Sequence, residues 1–133
     1  MSFEEYNSNL PDHLAAIQCL MDELCWPGDI FSQNAIVKKI YRFDALATHI
    51  DYRGRGLASK LVNQAFIVAK KSQCDGATVL ATNDYTRKIF NKIGMEMVAS
   101  KQWKDCVFGG KRLFEDVKSE MVTSHFIRLD KVK

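Results

Sequence analysis

The sequence lacks the features that mark several common classes of protein. Its first six residues are acidic and polar rather than basic and then apolar, and no apolar run is long enough to span a bilayer. It has no long run of basic residues, and its formal charge is only +3. These absences argue against a membrane protein and against a nucleic-acid-binding protein. We therefore expect a cytoplasmic protein.

Metal-binding and multidomain signatures are missing as well. The cysteines Cys19, Cys25, Cys74 and Cys106 form no Cys-x-x-Cys pair, and no histidine cluster accompanies them. We predict no metal site and interpret the cysteines as reduced, mostly buried thiols. The sequence also contains no internal repeat, low-complexity tract or linker. With 47% hydrophobic and 26% charged residues, residues 1–133 are predicted to form a single folded domain.

What the sequence does contain is an alternation of helix and strand patterns. Apolar residues at three- and four-residue steps predict a helix over residues 12–25, which the Pro27-Gly28 pair would end. Residues 37–49 predict a strand, and helical periodicity follows from Leu57 to about Ser72. The later predictions are a buried strand at residues 77–82, a helix from Tyr85 to Ile93 capped by Gly94, and strands at 95–99 and 122–129. This order predicts an α/β fold with a parallel βαβ unit.

A short segment with two glycines lies between the first predicted strand and the helix after it. Gly54 and Gly56 would let backbone N–H groups approach a ligand, and the helix start adds partial positive charge. Arg53 and Arg55 add charged donors, and Ser59 adds a hydroxyl in the first turn. The segment predicts a pyrophosphate site, although a tight turn that needs glycine only for its backbone would have the same sequence. Its spacing is that of neither a dinucleotide fingerprint nor a P-loop.

Residues 53–58, Arg-Gly-Arg-Gly-Leu-Ala, resemble the Arg/Gln-x-x-Gly-x-Gly/Ala signature of the GNAT superfamily of acyl-CoA N-acetyltransferases. The resemblance extends to residues 46–52, which look like the central strand of the family and its exit, and to residues 82–94. The chain looks most like the insect-type arylalkylamine N-acetyltransferases, which share the Tyr-Arg-Gly-Arg-Gly run and the Lys-x-Gly-hydrophobe ending of the second helix. The resemblance implies the GNAT-like fold, built on a mixed sheet.

The same resemblance implies acetyl-CoA as the acetyl donor and a small primary amine as the acceptor, with no metal. The loop amides would hold the pyrophosphate, and the end of the central strand would hydrogen-bond the pantetheine arm. The residues implied to bind the cofactor are Ala47, Thr48, Arg53, Gly54, Arg55, Gly56, Leu57, Ala58, Ser59 and Asn83.

Acetyl transfer needs a polarised thioester carbonyl and a proton for the leaving thiolate. Many superfamily members place a tyrosine near the sulfur, but the matching residue here is Phe90. Some arylalkylamine enzymes use hydroxyl groups instead, at positions that correspond to Thr82 and Thr86. Ordinary strand packing and helix-start polarity explain these two threonines equally well. Asp44 could accept a proton through water, or it could simply pair with Arg42.

The family places two or three strands and a pair of helices before its central strand, whereas this sequence has room mainly for the helix that ends near Cys25. We therefore expect an N-terminally truncated domain with an exposed sheet edge, which a partner chain could cover. Three functions stay open. They are an N-acetyltransferase for a small arylalkylamine, a catalytically weak or inactive acyl-CoA-binding module, and a protein-directed N-acetyltransferase.

Overall fold

The computed structural model describes residues 2–25, 37–44 and 46–132, and the Pro27-Gly28 pair lies outside these ranges. The helices and strands in chain order are α1 (Phe3–Asn7), α2 (Asp12–Cys25), β1 (Ile40–Phe43), α3 (Leu57–Lys71), β2 (Gly76–Ala81), α4 (Asp84–Ile93), β3 (Glu96–Gln102) and β4 (Met121–Arg128). Helices α2, α3 and α4 match the periodicity of the sequence closely. Helix α1, a single capped turn, was not predicted.

The four strands form one mixed sheet in the order β1-β2-β4-β3. Strands β1 and β2 are parallel, with Ile40 opposite Gly76 and Phe43 opposite Val79. Strand β4 is antiparallel to both of its neighbours, β2 and β3. The predicted βαβ unit is therefore confirmed, with α3 as the crossover helix.

Strand β1 is shorter than the sequence predicted. We expected a strand over residues 37–49, but only Ile40–Phe43 is extended and paired. Phe43, the last residue of β1, lies opposite Val79 of β2. Strand β2 continues two residues further, to Ala81, whereas the segment after β1 leaves the sheet. In the described part of the chain, β2 is the only strand that pairs with β1. The departure opens a gap beside the end of β2.

Two apolar clusters lie on opposite faces of the sheet. Along β2, Leu80 packs against the cluster that α2 covers, whereas Val79 belongs to the cluster covered by α3 and α4. The first cluster includes Leu20, Trp103 and Val122, and the second is built from residues such as Val62, Phe66, Phe90 and Leu129. The sheet thus forms the middle layer of the molecule.

Helices α3 and α4 begin at the same edge of the sheet. Each follows the carboxyl end of a parallel strand, α3 after β1 and α4 after β2. Chain segments that leave parallel strands at one edge are common places for ligand sites in α/β proteins. The gap beside β2 and both helix starts therefore lie together.

Candidate active site

The loop before α3 has a backbone that requires glycine. Gly54 and Gly56 have φ angles of 78° and 70°, a left-handed conformation that side-chain-bearing residues rarely adopt. A Cβ atom at either position would meet no other atom within 4 Å, so the space around the loop is open. Gly56 is the N-cap of α3, and no side-chain hydrogen bond caps this helix. The first N–H groups of α3 are therefore available to an outside acceptor.

Two arginines flank Gly54 in this loop, and both are exposed. The Nε of Arg53 donates a long hydrogen bond of 3.4 Å to the carbonyl oxygen of Thr48. The guanidinium of Arg55 lies over the ring of Tyr52, 5.1 Å from its centre. The first turn of α3 contains no acidic residue. The loop therefore presents positive charge beside free backbone donors.

A cleft of about 620 Å³ runs from this loop to the start of α4, and we call it the loop cleft. Its lining residues are Leu46, Ala47, Thr48, Arg53, Gly54, Ala58, Asn83, Tyr85, Thr86 and Ile89. Six of these were predicted to bind the cofactor: Ala47, Thr48, Arg53, Gly54, Ala58 and Asn83. The structure thus brings the end of the β1 segment, the glycine loop and α4 to one cleft.

The other four predicted cofactor residues do not line this cleft. Arg55, Gly56 and Leu57 are exposed at the end of the glycine loop and in the first turn of α3. Ser59 is half-buried and lines a separate cavity of about 590 Å³, together with Asn63 and Lys92. Its hydroxyl group is therefore placed apart from the loop cleft.

A second, smaller cavity of about 270 Å³ lies in the gap beside β2, and we call it the inner pocket. Its lining residues are Ile17, Met21, Phe43, Asp44, Leu46, Val79, Leu80, Thr82, Asn83, Thr86 and Phe90. Leu46, Asn83 and Thr86 line both cavities, so the inner pocket adjoins the loop cleft. All three residues predicted to be catalytic, Asp44, Thr82 and Thr86, line the inner pocket.

Asp44 and Asn83 also make contacts that serve local structure. The carboxylate of Asp44 accepts a hydrogen bond of 2.7 Å from the Nε of Arg42 and stays largely exposed. This is the ion pair that the sequence offered as the alternative to a proton-accepting role. The Oδ1 of Asn83 accepts a hydrogen bond of 2.8 Å from the N–H of Thr86 and so caps α4. The side-chain NH₂ of Asn83 is left as a donor.

Phe90 is fully buried at the inner end of the pocket. Its ring lies 5.4 Å from the ring of Phe43 and 6.5 Å from that of His125, measured between ring centres. A phenyl ring has no proton to donate, so this position cannot supply a tyrosine-like acid. Thr82 and Thr86 also line this pocket, and their hydroxyl groups can donate hydrogen bonds to a bound molecule.

His125, which our sequence reasoning missed, is fully buried in β4 behind Phe90. One ring nitrogen, Nε2, lies 2.9 Å from the hydroxyl of Thr123, and Nδ1 has no hydrogen-bond partner of good geometry in the described part of the chain. Burial lowers the pKa of His125 and the positive charge of Arg87 acts in the same direction, while the backbone of Met95 opposes both. The buried environment therefore favours the neutral imidazole over the charged one. A histidine inside an apolar strand pattern gives no sequence signal of its burial.

The part of the chain that the structure describes contains no group of three or more His, Cys, Asp or Glu side chains arranged to hold a metal ion. None of the helices described there has the length and apolar character needed to cross a membrane.

Comparison with known proteins gave one family and a set of similar structures. The model of the acetyltransferase (GNAT) family matches residues 26–95, which are 70 of the 133 residues and include the glycine loop. No curated protein sequence gave a significant match. The predicted resemblance to the GNAT superfamily is therefore confirmed by a family match that covers more than half of the chain.

Three solved structures illustrate the likeness in fold. Arylalkylamine N-acetyltransferase 2 from Aedes aegypti superposes with a TM-score of 0.78 at 20% identity, over 95% of this chain and 59% of its own. The polyamine N-acetyltransferase of Drosophila melanogaster gives 0.78 at 16% identity, over 94% of this chain and 60% of its own. Arabidopsis thaliana NAA60 in complex with acetyl-CoA gives 0.56 at 12% identity, over 77% and 59%. The predicted fold is confirmed, and the chain spans about 60% of the length of these structures.

Proposed function

The chain belongs to the acetyltransferase (GNAT) family, and on that premise we propose that it binds acetyl-CoA in the loop cleft and transfers the acetyl group to a small primary amine. The observation that carries this proposal is the start of α3. Its N–H groups have no side-chain cap, Gly54 and Gly56 keep the space above them open, and Arg53 lines the adjoining cleft. Such an arrangement suits a pyrophosphate, because backbone donors, helix dipole and cationic side chains act on one anion.

The remainder of the loop cleft fits the arm of the donor substrate. Ala47 and Thr48 follow β1 without joining a strand, so no strand pairing occupies their backbone groups. The carbonyl oxygen of Thr48 accepts the long hydrogen bond of 3.4 Å from Arg53, and an extended, amide-containing chain would compete for it and bind the neighbouring backbone groups. On the opposite wall, Asn83 offers its side-chain NH₂. These contacts would carry the thioester toward the inner pocket, which shares Leu46, Asn83 and Thr86 with the cleft.

In the reaction, the amine nitrogen attacks the thioester carbonyl, a C–N bond forms, and the C–S bond breaks to release the thiol. The ammonium proton goes to water, and the thiolate takes up a proton. Thr82 and Thr86 line the pocket, and hydrogen bonds donated by their hydroxyl groups would stabilise negative charge as it develops on oxygen or sulfur. Phe90 cannot share that role, because its ring has no hydroxyl group.

The inner pocket favours an amine with an apolar body. Most of its lining is apolar, and Asp44 is the charged side chain among the residues that line it. The Oδ1 of Asp44 pairs with Arg42, so its Oδ2 is the atom that would accept a hydrogen bond from a single ammonium group. The ring or alkyl carbons of the amine would then lie against the apolar walls. A small arylalkylamine meets this description better than a polyamine, whose several charges would need several carboxylates. Both kinds of acetyltransferase occur among the similar structures.

Binding of the donor is tested by isothermal titration of acetyl-CoA into the native chain and into an Arg53→Glu/Arg55→Glu variant. We expect the affinity to fall by about 100-fold or more, since each charge-assisted hydrogen bond contributes roughly 1.5–3 kcal/mol. A charge-matched control, Lys71→Glu/Lys118→Glu, changes two exposed lysines outside the cleft and should bind normally. Equal binding by both variants, or none by the folded native chain, would overturn the proposal.

Turnover separates the enzyme from a non-catalytic acyl-CoA-binding module, the alternative that Phe90 favours. Release of free thiol with 2-phenylethylamine as acceptor should be measurable for the native chain. Thr82→Val and Thr86→Val each remove one hydroxyl and keep the side-chain shape, so kcat should fall by about tenfold to 100-fold with little change in the acetyl-CoA affinity. Saturable acetyl-CoA binding without thiol release would support the module instead.

A further inference from the structure

The inner pocket passes through the sheet layer. Val79 faces the apolar cluster under α3 and α4, and Leu80 faces the cluster under α2, yet both residues line this pocket. This is feasible because β1 ends at Phe43, whereas β2 continues to Ala81. The gap between them connects the α4 side of the sheet with the α2 side.

Each side of the gap is closed by a different helix. On the α4 side, Thr86 and Phe90 line the pocket, and Thr86 also lines the loop cleft. On the α2 side, the lining residues are Ile17 and Met21, which are one helical turn apart and so lie on one face of α2. Neither of them lines the loop cleft. The wall on the α2 side is therefore available to a second molecule when the loop cleft is filled.

Met21 is the more enclosed of the two α2 residues. It is only 5% exposed, yet it belongs to neither apolar cluster and lines the inner pocket. A methionine side chain fills irregular space and adapts its shape. Its length therefore sets how far the pocket extends toward α2.

We infer that Met21, assisted by Ile17, is a specificity-determining residue that limits the size of the apolar body of the acceptor amine. The inference rests on the proposed function, since it assigns the inner pocket to the acceptor of the same reaction. The ammonium group would lie toward Asp44 and the thioester, and the apolar end of the amine would lie against α2. Amines with one aromatic ring are favoured, and larger ring systems are excluded by the Met21 side chain.

The test compares two probes, 2-phenylethylamine and 2-(2-naphthyl)ethylamine, in the native chain and in Met21→Ala. Dissociation constants come from isothermal titration in the presence of CoA, so the measurement does not depend on turnover. We expect Met21→Ala to improve binding of the naphthyl amine relative to the phenyl amine by about tenfold or more, because even one methylene group in an apolar pocket changes selectivity by about tenfold to 200-fold.

The matched control is Met97→Ala, which makes the same change at a residue that is 54% exposed on β3 and outside the pocket. It should leave the ratio of the two affinities unchanged. Ile17→Val is a smaller enlargement of the same wall that preserves an apolar helix face, so it keeps the test valid if Met21→Ala does not fold. It should shift the ratio in the same direction by about tenfold, the lower end of the range for one methylene group.

Two results would overturn the inference. One is an unchanged affinity ratio in the folded Met21→Ala and Ile17→Val variants. The other is a native chain that binds neither amine, which would remove the acceptor from the inner pocket. Failure of the proposed donor site is recognised separately, because it would appear as absent acetyl-CoA binding in the titration of the native chain without any amine.

Discussion

His125 is an ionisable side chain held in an apolar environment. Its ring is fully buried, contacts Phe90, and is hydrogen-bonded to the hydroxyl of Thr123 through one nitrogen. Because burial lowers its pKa, the folded protein takes up a proton at this site less readily than the unfolded chain does. The stability of the protein is therefore linked to pH through this residue.

The sign of this linkage gives a prediction. The unfolded histidine gains its proton near its ordinary pKa of about 6.5, whereas the folded one gains it at lower pH. The buried, neutral His125 therefore makes its full contribution to the free energy of unfolding above about pH 7. This contribution is lost as pH falls from about 6.5 through the lowered pKa of the folded state. Urea denaturation between about pH 7.5 and pH 5 should show a declining free energy of unfolding, with a weaker decline in His125→Gln.

The control for this measurement is His49→Gln, since the side chain of His49 is 67% exposed. It should reproduce the native pH dependence. If His125→Gln and the native chain lose stability in parallel below pH 6.5, the pH dependence comes from other groups, such as the carboxylates, and the buried imidazole is not its source.

At the scale of single helices, Asn83 combines two tasks. Its Oδ1 caps the start of α4, and its side chain lines both the loop cleft and the inner pocket. The cap holds Thr86 in the first turn, at the point where the two cavities meet. A change at this residue should therefore affect both the stability of the helix and the binding of the donor.

Two substitutions separate these tasks. Asn83→Ala removes the cap and should lower the free energy of unfolding by about 1 kcal/mol, whereas Asn83→Ser retains an acceptor and should cost much less. Both remove the side-chain NH₂ from the cleft, so both should weaken acetyl-CoA binding by about tenfold, as expected for one lost hydrogen bond. Chemical denaturation and titration calorimetry measure the two effects independently. Normal donor binding by Asn83→Ser would show that this amide does not contact the donor.

Element boundaries were predictable where the cause is local. The cap at Gly94, with φ of 103°, and the glycine loop before α3 follow from a few adjacent residues. The early end of β1 was not predictable in this way, because residues 44–49 retain a strand-like composition. Pairing between β1 and β2 ends at Phe43 and Val79 although β2 continues to Ala81, and local composition does not show where two strands distant in sequence cease to pair.

The same distinction holds for the site within the whole molecule. Six of the ten predicted cofactor residues line one cleft, because the glycine loop and the two segments beside it are joined by a single βαβ unit. The α2 wall of the inner pocket was missed, although Ile17 and Met21 fit the predicted helix pattern. Periodicity identifies an apolar face, but it does not say which part of the molecule that face will cover.

Acetyl-CoA bound in the loop cleft should therefore contact segments from separate parts of the chain and hold them together. The loop cleft lies between the segment after β1 and the start of α4, so a bound molecule must leave before either side can open fully. Acetyl-CoA at about 100 times its dissociation constant should slow hydrogen exchange through such openings by up to about 100-fold. We expect this protection at residues 46–59 and 83–89.

Strand β3 provides the internal reference, because it lies at the far edge of the sheet and none of its residues lines the loop cleft. Its exchange should be nearly unchanged, since its local openings do not require the ligand to dissociate. Hydrogen exchange is measured by mass spectrometry on the native chain and on Arg53→Glu/Arg55→Glu, with and without acetyl-CoA. Protection that is confined to the loop cleft and is lost in the variant distinguishes local binding from general stabilisation of the fold. Protection centred on residues 102–120, or spread evenly over the sheet, would place the donor outside the loop cleft.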